Sequence, residues 1–397
     1  MVQSLRLSLL VLSVIMTVEF AASFCAPLLP LIRSSFVVDE YWVQMTISFY
    51  LFGLGISALL YGPLSDVYGR RPTLVAGLGL FSVASLACVW ASSIYPLILA
   101  RLLQGMGAGV AWTVGNAAIK DVTAGAQYTR MINLVHIVAG FIPAIAPILG
   151  SYWGELWGWR PSFFAVFVLS CAAFALVSLG FKESISRRHS FSFIALWSGY
   201  IHVVTQPLYC RYMIVKVLMV MLLFVDAANL SLIFVEHLEV PLEHFGYYVT
   251  LGFVAYLAGG WLCHRFVKDL GNDRLISIGL AGVLCSTLAL MVGLEYGLHS
   301  ALWVQLIRVP LYIGWGLIFG NATACIIAPF PKQAGAASAL MIALEMAFSF
   351  VGIYICSVFY DGTLMPVAGF AIATTLLACV GFYSLRRHKI AMVLETI

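Results

Sequence analysis

Twelve stretches of this 397-residue chain are each apolar enough and long enough to cross about 30 Å of hydrocarbon. Nothing else in the sequence constrains the fold as tightly, because backbone N–H and C=O groups inside a bilayer must be hydrogen-bonded within a helix or a closed barrel. The stretches fall at about 8–30, 43–61, 73–92, 95–118, 131–153, 161–181, 211–235, 245–264, 275–294, 300–327, 335–359 and 364–384. Runs of roughly twenty residues without strict alternation predict helices rather than barrel strands. The expected class is an all-α membrane protein of twelve transmembrane helices. Composition agrees, with 62% of residues hydrophobic and 10% charged, against about a quarter charged in soluble domains. So few charges cannot cover a soluble surface, and a formal net charge of +4 without a basic run leaves no electrostatic footprint for nucleic acid. A water-soluble enzyme and a nucleic-acid binder are both excluded.

The amino terminus, Arg6 followed by an apolar run, imitates a signal peptide, but the run continues past Glu19 to Leu31 and many more follow. It reads as a retained first span. The nine cysteines are scattered, without a CxxC or a His/Cys pairing at metal spacing, so they read as small apolar fillers rather than disulfides or ligands. No metal or cofactor site is indicated.

Lys and Arg give an independent check through the positive-inside rule. With the amino terminus in the cytoplasm, Arg6, Arg70, Arg71, Lys120, Arg130, Lys182, Arg187, Arg188 and Arg211 lie inside. Arg265, Lys268, Arg274, Lys332, Arg386, Arg387 and Lys389 fall on the same side, and only Arg33 and Arg160 fall outside. Residues 191–206 are aromatic-rich but short, with Pro207 following, and are read as an interfacial segment. The expected organisation is a six-helix bundle over 1–181, a cytoplasmic linker over 182–210, and a second bundle over 211–397 with a short cytoplasmic tail. A sequence echo relates the halves: Arg101 and Arg308 stand alone in apolar spans, with Gly107 and Gly314 six residues later. Spans one and seven carry single central acids, Glu19 and Asp226. Repeated halves with polar groups near the midplane fit a secondary transporter.

Between spans two and three lies GPLSDVYGRRPTL, from Gly62 to Leu74. Gly62-Pro63 can end a helix, Gly69 permits a backbone geometry closed to other residues, and Pro72 suits a helix start. Asp66 beside Arg70 and Arg71 reads either as a solvated turn or as a latch made in one conformation and lost in the other. This loop resembles the signature of the major facilitator superfamily, G-x-L-[SA]-D-x-x-G-R-[RK]-x-x-L. RLLQGMGAG, from Arg101 to Gly109, resembles that superfamily's second motif, and GFIPAIAPILGSYWG, from Gly140 to Gly154, is similar to the antiporter motif of its twelve-span drug/proton branch. PFPKQAGAASAL, from Pro329 to Leu340, resembles the bicyclomycin/chloramphenicol-resistance group. In the antiporter-like stretch, Gly140, Ala144 and Gly150 are expected to let backbones approach, while Pro143 and Pro147 interrupt the hydrogen-bond ladder.

Ionisable groups at mid-membrane carry a functional hypothesis by default. Glu19 is read as a proton or substrate site or as a structural partner of Arg101. Asp226 is read as its counterpart or as a group hydrogen-bonded by Asn229. Glu345 stands where the resembling group usually has glutamine, and is either a substrate contact or a second proton site. Arg101 and Arg308 must pair with acids, carbonyls or an anionic ligand, and the resemblance implies a coupling role for Arg101. Lys216 is expected to snorkel from the cytoplasmic end of span seven, and His136 to be interfacial or packed. The function implied is export of a small organic compound from a bacterial cytoplasm in exchange for protons, by a monomer in the cytoplasmic membrane with both termini inside. A dedicated metabolite or siderophore exporter and a proton-coupled importer remain open at this stage.

Overall fold

The computed structural model describes residues 2–123, 125–185, 193–297, 300–330 and 333–385. Arg187, Arg188, Lys332, Arg386, Arg387 and Lys389 lie outside the described residues, as do the side chains of Arg130 and His136. Among the described residues the structure is helical throughout, without a strand. Ten helical runs are long and apolar enough to cross a membrane. One of them, α11 (Leu242–Glu295), is 54 residues long and turns at Gly271, whose φ is 75°, so it carries two crossings. A further crossing is α7 (Gly125–Trp157), 33 residues long with Pro143 and Pro147 inside. The twelve predicted spans are all accounted for.

The chain divides into two compact units, residues 1–192 with 241–247, and residues 193–240 with 248–397. The first unit contains α1 (Val2–Cys25), α2 (Leu29–Phe36), α3 (Glu40–Tyr68), α4 (Arg70–Val89), α5 (Ile94–Ala108), α6 (Val110–Val122), α7 and α8 (Trp159–Gly180). The first span is not one helix: a 3-10 turn at Ala26–Leu28 separates α1 from α2, where Pro27 and Pro30 each remove a backbone donor. Span four breaks at Gly109. The helix α3, by contrast, runs through Pro63 to Tyr68. The expected stop at Gly62-Pro63 is therefore displaced to Gly69, whose φ of 107° and ψ of 157° belong to a region essentially confined to glycine.

The second unit contains α9 (Phe193–Val204), α10 (Pro207–Leu232), most of α11, α12 (Ala301–Ile307), α13 (Val309–Ile327), α14 (Ala334–Val358) and α15 (Met365–Ser384). Span ten breaks at Arg308, just before Pro310. The aromatic segment after the first bundle forms α9, which packs on α10 and α14. It buries Tyr200 and Val203 and leaves Trp197 and Ile201 exposed, the one-sided burial of a helix lying on a bundle.

Each unit is held by close backbone approaches at glycines. In the first, a Cβ on Gly105 would strike the Tyr50 carbonyl of α3; in the second, one on Gly316 would strike the Tyr256 carbonyl of α11. Small residues at helix crossings replace hydrophobic burial as the packing force in lipid, where tails are as apolar as leucine. The outward surfaces are apolar, including Leu99, Val168, Leu176, Trp261 and Val380. Exposed aromatics gather near helix ends, among them Tyr68, Trp90, Trp157, Tyr296 and Trp303, the interfacial positions that amphipathic rings favour.

Candidate functional site

In the first unit, α1 packs against α6, α7 and α8, which sets Glu19 opposite Trp112. The indole Nε1 of Trp112 donates to Glu19 Oε1 at 2.7 Å. Glu19 is only half-buried although it lies deep within the 24 residues of α1.

Arg101 does not pair with Glu19 in this structure. Its Nη1 donates to Gln104 Oε1, and its guanidinium lies 4.2 Å from the centre of the Tyr50 ring and 5.8 Å from that of Phe163. Gln104 Nε2 in turn donates to Ser85 Oγ at 2.8 Å, and Ser85 to the Phe81 carbonyl at 2.7 Å. The always-charged arginine is thus satisfied by an amide and by aromatic faces, and it clamps α3, α4, α5 and α8 together. One turn of helix, Arg101 to Gln104, supplies the partner, and the pairing with Glu19 that the sequence left open is not made.

The second unit resolves its arginine differently. Arg308 Nη2 contacts Asp226 Oδ1 directly, and its guanidinium lies 5.2 Å from the centre of the Tyr312 ring. Arg308 Nη1 donates to Gln305 Oε1 at 3.3 Å, while Gln305 Nε2 holds the Tyr248 carbonyl at 2.7 Å. An arginine–glutamine pair three residues apart therefore recurs in both units, in opposite sequence order. Asn229 Nδ2 donates to the Val225 carbonyl of its own helix at 2.7 Å and reaches Cys356 Sγ on α14 at 3.9 Å. A cavity of about 20 Å³ beside the Asp226–Arg308 pair is lined by Leu222, Thr287, Trp315, Leu364 and Ala371, room for about one water.

Lys216 does not snorkel. Its Nζ lies 3.8 Å from Glu345 Oε1 and 4.5 Å from the centre of the Phe319 ring, so α10, α13 and α14 converge on a buried opposite-charge pair. The sequence singled out both charges without joining them, since 129 positions separate them.

The signature loop is a denser network than its own residues suggested. Arg70 Nη1 donates to Asp66 Oδ1 and to Ser65 Oγ, each at 2.6 Å, and Arg70 Nε to Asp121 Oδ2 at 2.9 Å. Glu183 accepts the backbone N–H groups of Arg70 at 2.9 Å and Arg71 at 3.2 Å, capping α4, while Arg71 Nη2 reaches the Ser178 carbonyl at 2.7 Å. A Cβ on Gly69 would strike the Glu183 carboxylate. Gly62 has only a methyl of Thr113 near a would-be Cβ, at 3.8 Å. Sequence reading missed Asp121 and Glu183; the signal was that both are acids at span ends otherwise assigned a basic side.

A further cluster was missed in the second unit. Arg211 Nη2 donates to Asp273 Oδ2 at 2.9 Å, Tyr212 Oη to Asp273 Oδ1 at 2.6 Å, and Arg211 Nε to the Phe382 carbonyl at 3.1 Å. Asp273 lies two residues after the turn at Gly271, as Arg70 lies one after Gly69.

In the antiporter-like stretch, Gly150 approaches the Phe24 carbonyl of α1 so closely that a Cβ would strike it. Gly140 has no heavy atom within 4 Å of a would-be Cβ, so the expected close approach is absent there. Pro143 and Pro147 sit within the continuous α7. Among the described residues no His/Cys/Asp/Glu group is arranged to hold a metal.

Comparison with known proteins agrees with this architecture. The family described as Major Facilitator Superfamily matches residues 11–353. The chain is 23% identical over 364 residues to the bicyclomycin resistance protein homolog of Haemophilus influenzae, covering 89% of each chain. It is 25% identical over 362 residues to multidrug resistance protein D of Escherichia coli, covering 86% of each. Among solved structures, the xylose transporter XylE of E. coli in a partially occluded inward-open conformation superposes with a TM-score of 0.73. That likeness covers 96% of this chain and 97% of XylE at 13% identity, and concerns the fold. Twelve spans in two units, and a family match over most of the chain, place this protein in the Major Facilitator Superfamily. It is a multi-pass membrane transporter of small molecules, not an enzyme.

Proposed function

We propose that this transporter exports a small organic compound from a bacterial cytoplasm in exchange for protons, by alternating access, across the cytoplasmic membrane. The observation that carries the reading is Glu19, a partly buried carboxylate deep in a span whose hydrogen-bond partner is the neutral Trp112 N–H. A neutral donor supports the ionised carboxylate without an opposite charge, so a proton or a cargo group can replace that bond directly. Asp226 is the second coupling group: a proton on it weakens its hold on Arg308, which then reorganises with Gln305 and Tyr312. Because a ligand shifts a conformational balance only through differential affinity, the occupancy of these carboxylates must differ between the two access states. The names of the relatives, bicyclomycin resistance and multidrug resistance, support drug-like cargo and outward transport. The network of Asp66, Arg70 and Arg71 with Asp121 and Glu183 is the conformational latch in this scheme, and the Pro143/Pro147 helix its pivot.

Proteoliposomes distinguish coupling from leak. With an acid lumen and inside-out carrier, wild type should accumulate chloramphenicol. Glu19→Gln should lower the gradient-driven rate at least tenfold, a change of about 1.4 kcal/mol in the barrier. An undiminished rate in Glu19→Gln would remove that residue from coupling.

A further inference from the structure

Two side chains in the second unit are charged, nine-tenths buried, and poorly matched to their surroundings. Lys216 on α10 and Glu345 on α14 have side chains only 10% and 9% exposed, yet Nζ and Oε1 stand 3.8 Å apart, beyond hydrogen-bond reach. Glu345 Oε1 accepts no hydrogen bond among the described residues. Burying two charges is compensated only when good geometry and additional hydrogen bonds satisfy both groups, and here the ammonium has three donors to place. Next to the pair begins an aromatic face along α13. Phe319 stacks on Trp315 with ring centres 6.3 Å apart, and Trp315 meets Tyr312 at 5.5 Å, at intervals of four and three residues that keep one helix side. Trp315 Nε1 is a second buried polar atom without a hydrogen-bond partner. Beyond Tyr312 the face ends on the Arg308–Asp226 pair.

We propose that Lys216, Glu345 and the Phe319–Trp315 face form a cargo subsite selective for uncharged amphipathic molecules that carry a hydroxyl or amide group on a flat ring. This deepens the transport reading above and rests on it. A hydroxyl or amide accepts from Nζ and donates to Oε1 at once, completing both groups without changing the site's charge, while the ring packs beside Phe319, whose face carries Nζ at 4.5 Å. Singly charged cargo does the opposite. A cation drawn to Glu345 strands the Lys216 ammonium in an apolar interior, and an anion drawn to Lys216 strands the carboxylate. Discrimination therefore comes from what the pair excludes as much as from what it binds.

The test uses the full chain in lipid nanodiscs and equilibrium binding of two radiolabelled probes. Chloramphenicol is uncharged, with hydroxyls and an amide on a nitrophenyl ring; tetraphenylphosphonium is a permanent cation without a donor. Wild type should prefer chloramphenicol. Lys216→Met should shift the affinity ratio at least tenfold toward tetraphenylphosphonium, because the carboxylate is then free to take a cation. Should that variant fail to fold, the double variant Lys216→Met/Glu345→Gln, which leaves no lone charge, should bind chloramphenicol at least tenfold more weakly than wild type. A wild type that binds neither probe or prefers the cation overturns the proposal. So does an unchanged ratio in folded Lys216→Met, or a double variant with wild-type affinity for chloramphenicol. Gradient-driven accumulation of the bound probe reads the transport function separately. Accumulation with an unchanged ratio removes the subsite alone, and a shifted ratio without accumulation removes the transport reading alone.

Discussion

Arg101 and Arg308 look alike in sequence, one lone cation in each of two apolar spans, but the structure gives them different work. Arg101 lies over Tyr50 and is held by Gln104, whereas Arg308 meets a carboxylate, Asp226. Of the two arginines, only Arg308 sits against an opposite charge. Removing one member of a buried pair leaves the other uncompensated and costs about 3–5 kcal/mol, while replacing both costs far less. Asp226→Asn and Arg308→Gln should therefore each destabilise the detergent-solubilised protein by about 3 kcal/mol or more, with the double variant well short of their sum. Denaturant unfolding of the four proteins checks this; additive losses would mean that the two side chains act independently. Which charges are buried was legible in the sequence, because a Lys, Arg, Asp or Glu inside a run of twenty apolar residues has nowhere else to go. Which of them pair was not. Partnership depends on the rotation of each helix about its axis, and for Arg101 that rotation favours Tyr50 and Phe163 over Glu19. The same gap separated Lys216 from Glu345, which meet only because α10 packs on α14.

At the scale of the element, the spans were readable because each apolar run is a long local signal that tertiary packing does not override. Their interruptions were less so. Pro63 stays inside α3 and Gly69 ends it, since a proline within a helix removes one hydrogen bond but a residue at φ of 107° cannot continue the helix at all. Asp121 and Glu183 escaped notice because no local pattern links the ends of spans four and six to the loop they brace. The antiporter-like stretch gives a direct check on glycine spacing. Gly140→Ala meets open space and should change the thermal unfolding midpoint little, or raise it through better helix propensity. Gly150→Ala drives a methyl into the Phe24 carbonyl, forces α7 from α1, and should lower the midpoint by several degrees along with transport. Equal effects of the two substitutions would contradict the packing described for α7.

For the whole molecule, duplication is the organising fact. Gly107 against the Gly77 carbonyl and Gly314 against the Gly279 carbonyl, each six residues after its arginine, repeat from unit to unit, as do the two arginine–glutamine pairs, and the acids Glu19 and Asp226 occupy the first long helix of each half. A repeated unit built around a protonatable group is suited to coupling an ion to a conformational cycle. The account stands or falls on whether that coupling does work. Proteoliposomes containing the full chain, loaded with an acid lumen and then offered chloramphenicol, measure it directly. The account predicts accumulation above the outside concentration, lost within the time of mixing when nigericin and valinomycin collapse the gradients, and absent in Glu19→Gln. Equilibration to equal concentrations, unaffected by the ionophores and unchanged in the variant, would contradict it.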